Sequence, residues 1–89
     1  MGERAKLSLY EYRGCPYCDR VHRFLAEIGE SIESRDTLRD RENLEELVRA
    51  TGRRTVPCLK IEEDGGSARW LHESADIIDF LRGHFHTAS

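Results

Sequence analysis

The sequence predicts an α/β fold in which three helices flank a four-stranded mixed sheet, in the order βαβαββα. Hydrophobic residues recur at every second position in some segments, as in strands, and at every third or fourth position in others, as in helices. Glycines or polar residues stand where one pattern gives way to the next. The 89 residues are 38% hydrophobic, which is enough for one small core. We therefore expect a single domain over residues 1–89, with its core at about 6–85.

The first part of the chain predicts a strand followed by a helix. Residues 6–12 alternate in polarity, with Leu7 and Leu9 on one face, and predict the first strand. The helix that follows begins at Pro16, which suits a first helical turn, and ends at Gly29, which suits a left-handed stop. Its predicted apolar face consists of Tyr17, Val21, Phe24, Leu25 and Ile28.

A second strand and a second helix come next. The strand is predicted over residues 31–36 and the helix over residues 39–51, with Leu44, Leu47 and Val48 facing inward. Because a helix connects the first two strands, we expect these strands to run parallel.

The rest of the chain predicts a hairpin and a last helix. Residues 56–61 form an apolar run, residues 62–66 a polar turn with two glycines, and residues 68–71 a returning strand. The last helix starts near Ser74. Its apolar face consists of Ile77, Ile78, Leu81 and Phe85. Hairpin strands are antiparallel, so the predicted sheet is mixed.

Composition and charge exclude several classes of protein. Fourteen Lys and Arg against 17 Asp and Glu give a net charge of −3, which attracts nucleic acid poorly. No segment approaches the roughly 18 to 20 apolar residues of a membrane-spanning helix, and the first residues lead into no signal-peptide core. Three cysteines, an odd number, do not form the disulfide framework of a small secreted domain. We expect a cytoplasmic monomer with no membrane or nucleic-acid partner.

Two of the three cysteines, Cys15 and Cys18, stand where the first strand meets the first helix. Residues three apart in a first helical turn lie close enough for their sulfurs to alternate between dithiol and disulfide. The unpaired N–H groups and the positive dipole end of a helix start favour a thiolate on Cys15. Cys15 is therefore the predicted nucleophile, and Cys18, one turn further in, is predicted to resolve a mixed disulfide.

The cysteine pair has two other interpretations. It can be half of a zinc site to which His22 contributes, but the sequence offers no second ligand pair with suitable spacing. The two thiols can also be inert and buried. Redox use is favoured, and no metal is expected, because the pair lies at the junction of two elements and not on the apolar face of the helix.

The Cys-Pro-Tyr-Cys motif at 15–18, together with Thr-Val-Pro at 55–57, resembles glutaredoxin from about Lys6 to Phe85. The resemblance implies a thioredoxin-like fold and reduction of protein disulfides and glutathionylated proteins by a Cys15/Cys18 dithiol. Glutathione would be the co-substrate, without a tightly bound cofactor, and the transfer of electrons would serve cell redox homeostasis. The proline at 57 would be cis and face the nucleophile. The resemblance assigns these motif residues to glutathione: Tyr17, Thr55, Val56 and Pro57.

Glu73 and Ser74 depart from the glutaredoxin pattern and resemble the N-terminal domain of glutathione transferases. In that family the pair binds the γ-glutamyl end of glutathione. The chemistry is suitable, because a helix N-terminus accepts a carboxylate and Glu73 can pair with the ammonium group. Asp76 could serve the same ammonium group. The alternative is that Ser74 only caps the last helix.

Other residues beside the two motifs are further candidates. Arg54 matches a position that holds the glycine carboxylate of glutathione, although a surface arginine is an equal alternative. Tyr12 replaces a lysine that many glutaredoxins carry before the nucleophile, and Arg13 stands one residue closer. Cys58 follows Pro57 and could form an alternative disulfide, although such a cysteine is more often a small core residue.

Two other functions remain open. Some glutaredoxins bind an iron–sulfur cluster through the nucleophilic cysteine and glutathione in a dimer, but Pro16 argues against it, since Cys-Pro-Tyr-Cys sites usually favour exchange. The Glu73-Ser74 pair suggests a glutathione-transferase-like module that binds glutathione. Transferases normally carry a helical second domain that these 89 residues would not include, so conjugation is the weaker expectation.

Overall fold

The fold is a four-stranded sheet with helices on both faces, seen in a computed structural model that describes residues 5–63 and 66–86. The strands are β1 (Lys6–Glu11), β2 (Glu33–Asp36), β3 (Cys58–Glu62) and β4 (Ala68–His72). The helices are α1 (Pro16–Ile28), α2 (Arg41–Thr51) and α3 (Ser74–His86). The strand order is β2-β1-β3-β4, with β1 parallel to β2, and with β3 antiparallel to both of its neighbours. The predicted thioredoxin-like α/β fold, with its mixed sheet and βαβαββα order, is confirmed.

The ends of the first two helices follow from their capping residues. Gly29 takes a left-handed φ of 71° and its N–H donates to the carbonyl of Ala26, which ends α1. The side chain of Asp40 accepts the N–H of Glu42 at 3.0 Å and so begins α2. Gly52, with a φ of 75°, ends it. These caps fix where α1 ends and where α2 begins and ends.

The main core lies between the sheet and the helices α1 and α3. Alternate residues of β1 and β3 point toward this face, and the helices add one apolar stripe each. Its buried members are Leu7, Leu9, Val21, Leu25, Leu59, Ile61, Ile77 and Leu81. The core holds the start of α1 and the start of α3 against the same side of the sheet.

The opposite face of the sheet is smaller and partly polar. Tyr10, Leu47 and Cys58 form its buried cluster, and Trp70 packs against it with its ring centroid 5.3 Å from that of Tyr10. Only Leu47 comes from α2, so this helix is attached by few apolar side chains.

A charged network joins α2 to this second face. Glu46 accepts hydrogen bonds from Lys60 at 2.8 Å and from Arg35 at 3.1 Å, and Arg35 also donates to the hydroxyl of Tyr10 at 3.0 Å. Burial opposes ionisation of Glu46, but its hydrogen bonds with Lys60 and Tyr10 and the charges of Lys60 and Arg35 outweigh it, so its pKa lies below the usual value. The carboxylate of Glu46 therefore stabilises the attachment of α2.

Several predicted boundaries shift by one or two residues. The first strand ends at Glu11 and the second begins at Glu33. The second helix begins at Arg41, because Asp40 serves as its cap. The third strand begins at Cys58, directly after a cis peptide bond between Val56 and Pro57. Of the predicted hairpin turn, residues 64–65 lie outside the described part of the chain.

The predicted burial of three apolar side chains is wrong. Val48 was expected to face inward but is 37% exposed, because Leu47 is the residue aimed at the sheet and consecutive helical residues point about 100° apart. Tyr17 and Ile28, expected on the apolar face of α1, are 59% and 40% exposed. Cys18 is fully buried on that helix instead.

Within residues 5–63 and 66–86, no helix combines the length and apolar character that crossing a membrane requires.

The charged network predicts a pH-dependent stability. Replacing Glu46 by Gln should lower the free energy of unfolding at pH 7 by about 1 to 2 kcal/mol, because the group shared by Lys60 and Arg35 loses its negative charge and one of its two acceptor oxygens. Since the pKa of Glu46 is lower in the folded than in the unfolded chain, its stabilisation is present above pH about 4.5 and is lost as the pH falls through the folded value. Denaturant titrations at pH 7 and near pH 3 measure both effects. The exposed neighbour Glu45, changed to Gln, is the control, and equal losses for the two variants would contradict the network.

Candidate functional site

The first cysteine of the motif occupies the cap position of α1. Cys15 has an extended backbone, with φ −90° and ψ 117°, and its sulfur accepts the backbone N–H of Cys18 at 3.3 Å. The carbonyl of Cys15 accepts the N–H of Asp19 at 2.9 Å, which continues the helix. An N–H group aimed at a sulfur stabilises negative charge on it. Cys15 is 4% exposed as a residue and is therefore buried at the start of α1.

The second cysteine is in a different environment. Cys18 is fully buried, and burial, a side-chain hydrogen bond with Cys15 and the negative charges of Cys15 and Glu11 raise its pKa to about 12, although a backbone hydrogen bond with Tyr12 acts in the opposite direction. Cys18 is therefore a protonated thiol at neutral pH and can donate to the sulfur of Cys15. The two cysteines are thus close together in different environments, and the roles of nucleophile for Cys15 and resolving thiol for Cys18 stay predictions.

A cleft of about 390 Å³ lies where the start of α1, the loop before β3 and the start of α3 meet. We call it the cis-proline cleft. It is lined by Tyr17, Arg20, Thr55, Val56, Pro57, Glu73, Ser74 and Ala75. Six of these are residues that the sequence assigned to glutathione, and the peptide bond before Pro57 is cis, as the resemblance implied. The structure therefore brings three separate sequence motifs to one site.

The α3 side of the cleft has an unusual backbone. Glu73 takes a φ of 74°, a left-handed conformation that non-glycine residues rarely adopt, and its carbonyl accepts the N–H of Ile77 at 3.0 Å. Glu73 therefore precedes the helix, and Ser74, which is 5% exposed, is the first residue of α3. N–H groups in a first helical turn have no acceptor within the helix. The cleft thus presents a carboxylate, a hydroxyl and a helix N-terminus side by side.

Two residues that line the cleft, Arg20 and Ala75, were not predicted from the sequence. Arg20 lies one helical turn after Tyr17, and its guanidinium carbon is 6.0 Å from the centroid of the tyrosine ring. The spacing of three residues from Tyr17 was the available signal. Arg20 and Glu73 are the charged residues of the lining, so the cleft carries one charge of each sign.

Other candidates lie outside the cleft. Arg54 is exposed and lines a neighbouring hollow beside α2. Tyr12 and Arg13 line a third hollow of about 350 Å³, together with His22 and Glu11, which form an ion pair. Asp76 is exposed in the first turn of α3 but does not line the cleft.

The third cysteine belongs to the core of the second sheet face. Cys58 is fully buried, and burial raises the pKa of its thiol to about 12 despite the opposing charge of Arg53. Its sulfur lies 3.8 Å from Nε2 of His72, whose pKa is lowered by burial and by Arg53. This environment is that of a core residue, the simpler of its two predicted roles.

The described part of the chain holds no group of three or more His, Cys, Asp or Glu side chains arranged to bind a metal. His22, the residue considered as an extra zinc ligand, is paired with Glu11.

Comparison with known proteins assigns the chain to a family. Residues 9–88 match the family described as glutathione S-transferase, N-terminal domain. The chain belongs to this family. The predicted resemblance to the N-terminal domain of transferases is therefore confirmed, and the fold expected from the glutaredoxin resemblance is the fold of a transferase N-terminal domain. The family match is to transferases and does not single out glutaredoxins, so the dithiol activity stays a prediction.

Solved structures agree with the assignment. Two structures of maleylacetoacetate isomerase from Anaeromyxobacter dehalogenans 2CP-1 match 93% of this transferase N-terminal domain, at 30% and 31% identity and TM-scores of 0.67 and 0.66. One has dicarboxyethyl glutathione and citrate bound in the active site, and the other has glutathione. This chain spans 39% of the length of either isomerase chain.

Two more distant structures show likeness of fold. Glutathione transferase Omega 2S from Trametes versicolor matches 94% of this chain and 38% of its own, at 21% identity and a TM-score of 0.71. A thioredoxin-like protein matches 90% of this chain and 99% of its own, at 21% identity and a TM-score of 0.66.

Proposed function

We propose that this transferase N-terminal domain binds glutathione in the cis-proline cleft, with the glutathione sulfur directed toward Cys15. The observation that carries the proposal is the convergence of Val56-Pro57, Glu73-Ser74 and the start of α1 on one cleft. The isomerase relative, whose structures contain glutathione and a glutathione conjugate in the active site, supports the same ligand.

The chemistry of the cleft suits the γ-glutamyl end of glutathione. Its carboxylate would accept hydrogen bonds from the Ser74 hydroxyl and the N–H groups that begin α3, where the helix dipole favours negative charge. Its ammonium group would pair with Glu73, the acidic residue of the lining. Glu73 directly precedes the first residue of α3, so its side chain would lie next to the proposed position of the carboxylate.

The rest of the tripeptide would lie along the loop before β3. The backbone of Val56 would pair with the cysteinyl part of glutathione, as an extended peptide pairs with a sheet edge. Arg54 precedes the cleft residue Thr55 and would hold the glycine carboxylate where the cleft opens toward α2. Tyr17, largely exposed, would cover the ligand from α1.

Glutathione binding is tested with S-methylglutathione, which cannot exchange with a cysteine. Titration calorimetry should show that Glu73→Gln and Ser74→Ala each raise the dissociation constant about tenfold, which corresponds to one charge-assisted hydrogen bond. Glu27→Gln, an equal change of charge at an exposed position of α1, is the control and should bind like the unaltered protein. Binding that is unchanged in Glu73→Gln would exclude the proposed orientation.

A second candidate function, thiol–disulfide exchange of the glutaredoxin type, is favoured by the hydrogen-bonded pair of Cys15 and Cys18. The Cys15 thiolate would attack the glutathione sulfur of a glutathionylated protein, forming a Cys15–glutathione disulfide and releasing the protein thiolate, which takes up a proton. A second glutathione thiolate would then release Cys15 and form glutathione disulfide. With a protein disulfide, the Cys15 thiolate would attack one sulfur, forming a mixed disulfide and releasing the other sulfur as a thiolate that takes up a proton. Cys18 would then lose its proton and attack Cys15, which releases the second substrate thiolate and leaves a Cys15–Cys18 disulfide for two glutathione molecules to reduce.

The two cysteines should differ in their contribution to this exchange. Cys15→Ser should abolish turnover of a glutathionylated peptide, because the attacking sulfur is absent. Cys18→Ser should keep part of that activity and lose the reduction of protein disulfides, because the resolving step needs the buried thiol. A glutathione-coupled assay on both variants measures this, with Cys58→Ser as a control at a buried core cysteine. Equal loss in the Cys15 and Cys18 variants would contradict the monothiol route.

A further inference from the structure

A hollow of about 430 Å³ lies on the outer side of α2. We call it the α2 groove. It is lined by Arg41, Leu44, Glu45, Val48, Arg49 and Arg54. The groove is adjacent to the cis-proline cleft, because Arg54 lines the groove and the next residue, Thr55, lines the cleft. The two depressions therefore form neighbouring parts of one surface.

Two arginines of the groove, Arg41 and Arg49, are available to bind an anion, because the third, Arg54, is assigned above to the glycine carboxylate of glutathione. Across residues 5–63 and 66–86, none of Arg41, Arg49 and Arg54 forms an ion pair with a carboxylate, whereas Arg35 and Arg82 both do. Arg41 is the first residue of α2, where the helix dipole disfavours a positive charge. The charge of Arg41 therefore does not stabilise the helix through the dipole. The groove thus concentrates positive charge on a protein whose net charge is −3.

The floor of the groove is apolar. Leu44 and Val48 are four residues apart on α2 and therefore lie on one face of the helix. Val48 is 37% exposed, although the apolar pattern of the helix placed it inward. Glu45 is the acidic member of the lining. A partly exposed leucine and an exposed valine bordered by arginines suit an apolar side chain of a polypeptide whose other side chains are acidic.

We propose that the α2 groove binds an acidic polypeptide segment that carries an apolar side chain, with its carboxylates on Arg41 and Arg49 and its apolar side chain on Leu44 and Val48. Because the groove adjoins the cleft, such a segment would flank a glutathionylated cysteine whose glutathione occupies the cleft. This placement rests on the proposed function, whereas binding of the acidic segment itself does not. The apolar floor favours a polypeptide over a nucleic acid, which would use the positive charge alone.

Binding is tested with a fluorescein-labelled peptide of glutamates around one leucine, by fluorescence anisotropy on the full chain. The peptide should bind about tenfold more tightly than a matched peptide of glutamines, and the preference should fall as salt is added, since salt screens exposed charges. Arg41→Glu combined with Arg49→Glu should remove the preference. Arg23→Glu, an equal change at an exposed position of α1, is the control and should leave it unchanged.

Val48→Thr separates the proposed partner from a general polyanion, because threonine keeps the shape of valine but replaces one methyl group by a hydroxyl. The substitution should weaken the binding of the leucine-containing peptide about threefold and leave the binding of a leucine-free acidic peptide unchanged. The inference would be overturned if Val48→Thr affected neither peptide, if Arg23→Glu weakened binding as much as the groove variants, or if duplex DNA displaced the peptide at equal charge concentration. Sedimentation showing a dimer that Val48→Thr dissociates would assign the groove to a second copy of the chain and would also overturn it.

Turnover measurements separate this inference from the proposed function. Peptides with a glutathionylated cysteine and either glutamate or glutamine flanks should differ about tenfold in kcat/KM, and Arg41→Glu with Arg49→Glu should abolish the difference. The mixed disulfide of glutathione and 2-mercaptoethanol, which has no flank, should be turned over equally by all groove variants. Absence of turnover with this small substrate would count against the proposed exchange activity alone, while equal turnover of the two peptides would count against the groove.

Discussion

The hydrogen bond between the backbone N–H of Cys18 and the sulfur of Cys15 is the interaction on which the site depends. It exists because Cys15 is the cap of α1, and α1 is held in place by Val21 and Leu25 in the main core. The same helix buries Cys18, which keeps that thiol protonated and available as a donor. A single helix start therefore makes two identical side chains chemically different.

The cleft depends on a second constraint, the packing of three segments on one side of the sheet. The loop before β3 brings Val56 and Pro57, and α3 begins immediately after β4 with Glu73 and Ser74. Because β3 and β4 are paired neighbours, and because α1 and α3 share one core, these segments converge although they are far apart in sequence. The cis-proline cleft is a consequence of the strand order and not of any one motif.

The fold and most of the site could be predicted from the sequence, because the decisive signals are local. Helix ends were marked by Pro16 and Gly29, and the cysteine motif lay at a junction between a strand and a helix. The predictions that failed depend on how one element packs against another, which a local sequence pattern does not contain. Val48 belongs to the apolar pattern of α2, but only the contact of its neighbour Leu47 with Tyr10 and Cys58 decides which side of the helix is buried. Likewise, Arg20 is a cleft residue only because α1 runs beside the loop before β3.

The central claim is that Cys15 and the cis-proline cleft act on the same glutathione molecule. The most direct test is the crystal structure of the Cys18→Ser variant after reaction with glutathione disulfide. We expect one glutathione in disulfide linkage with Cys15, its γ-glutamyl carboxylate at Ser74 and its cysteinyl backbone paired with Val56. A glutathione attached to Cys58, or attached to Cys15 but lying outside the cleft, would contradict the account.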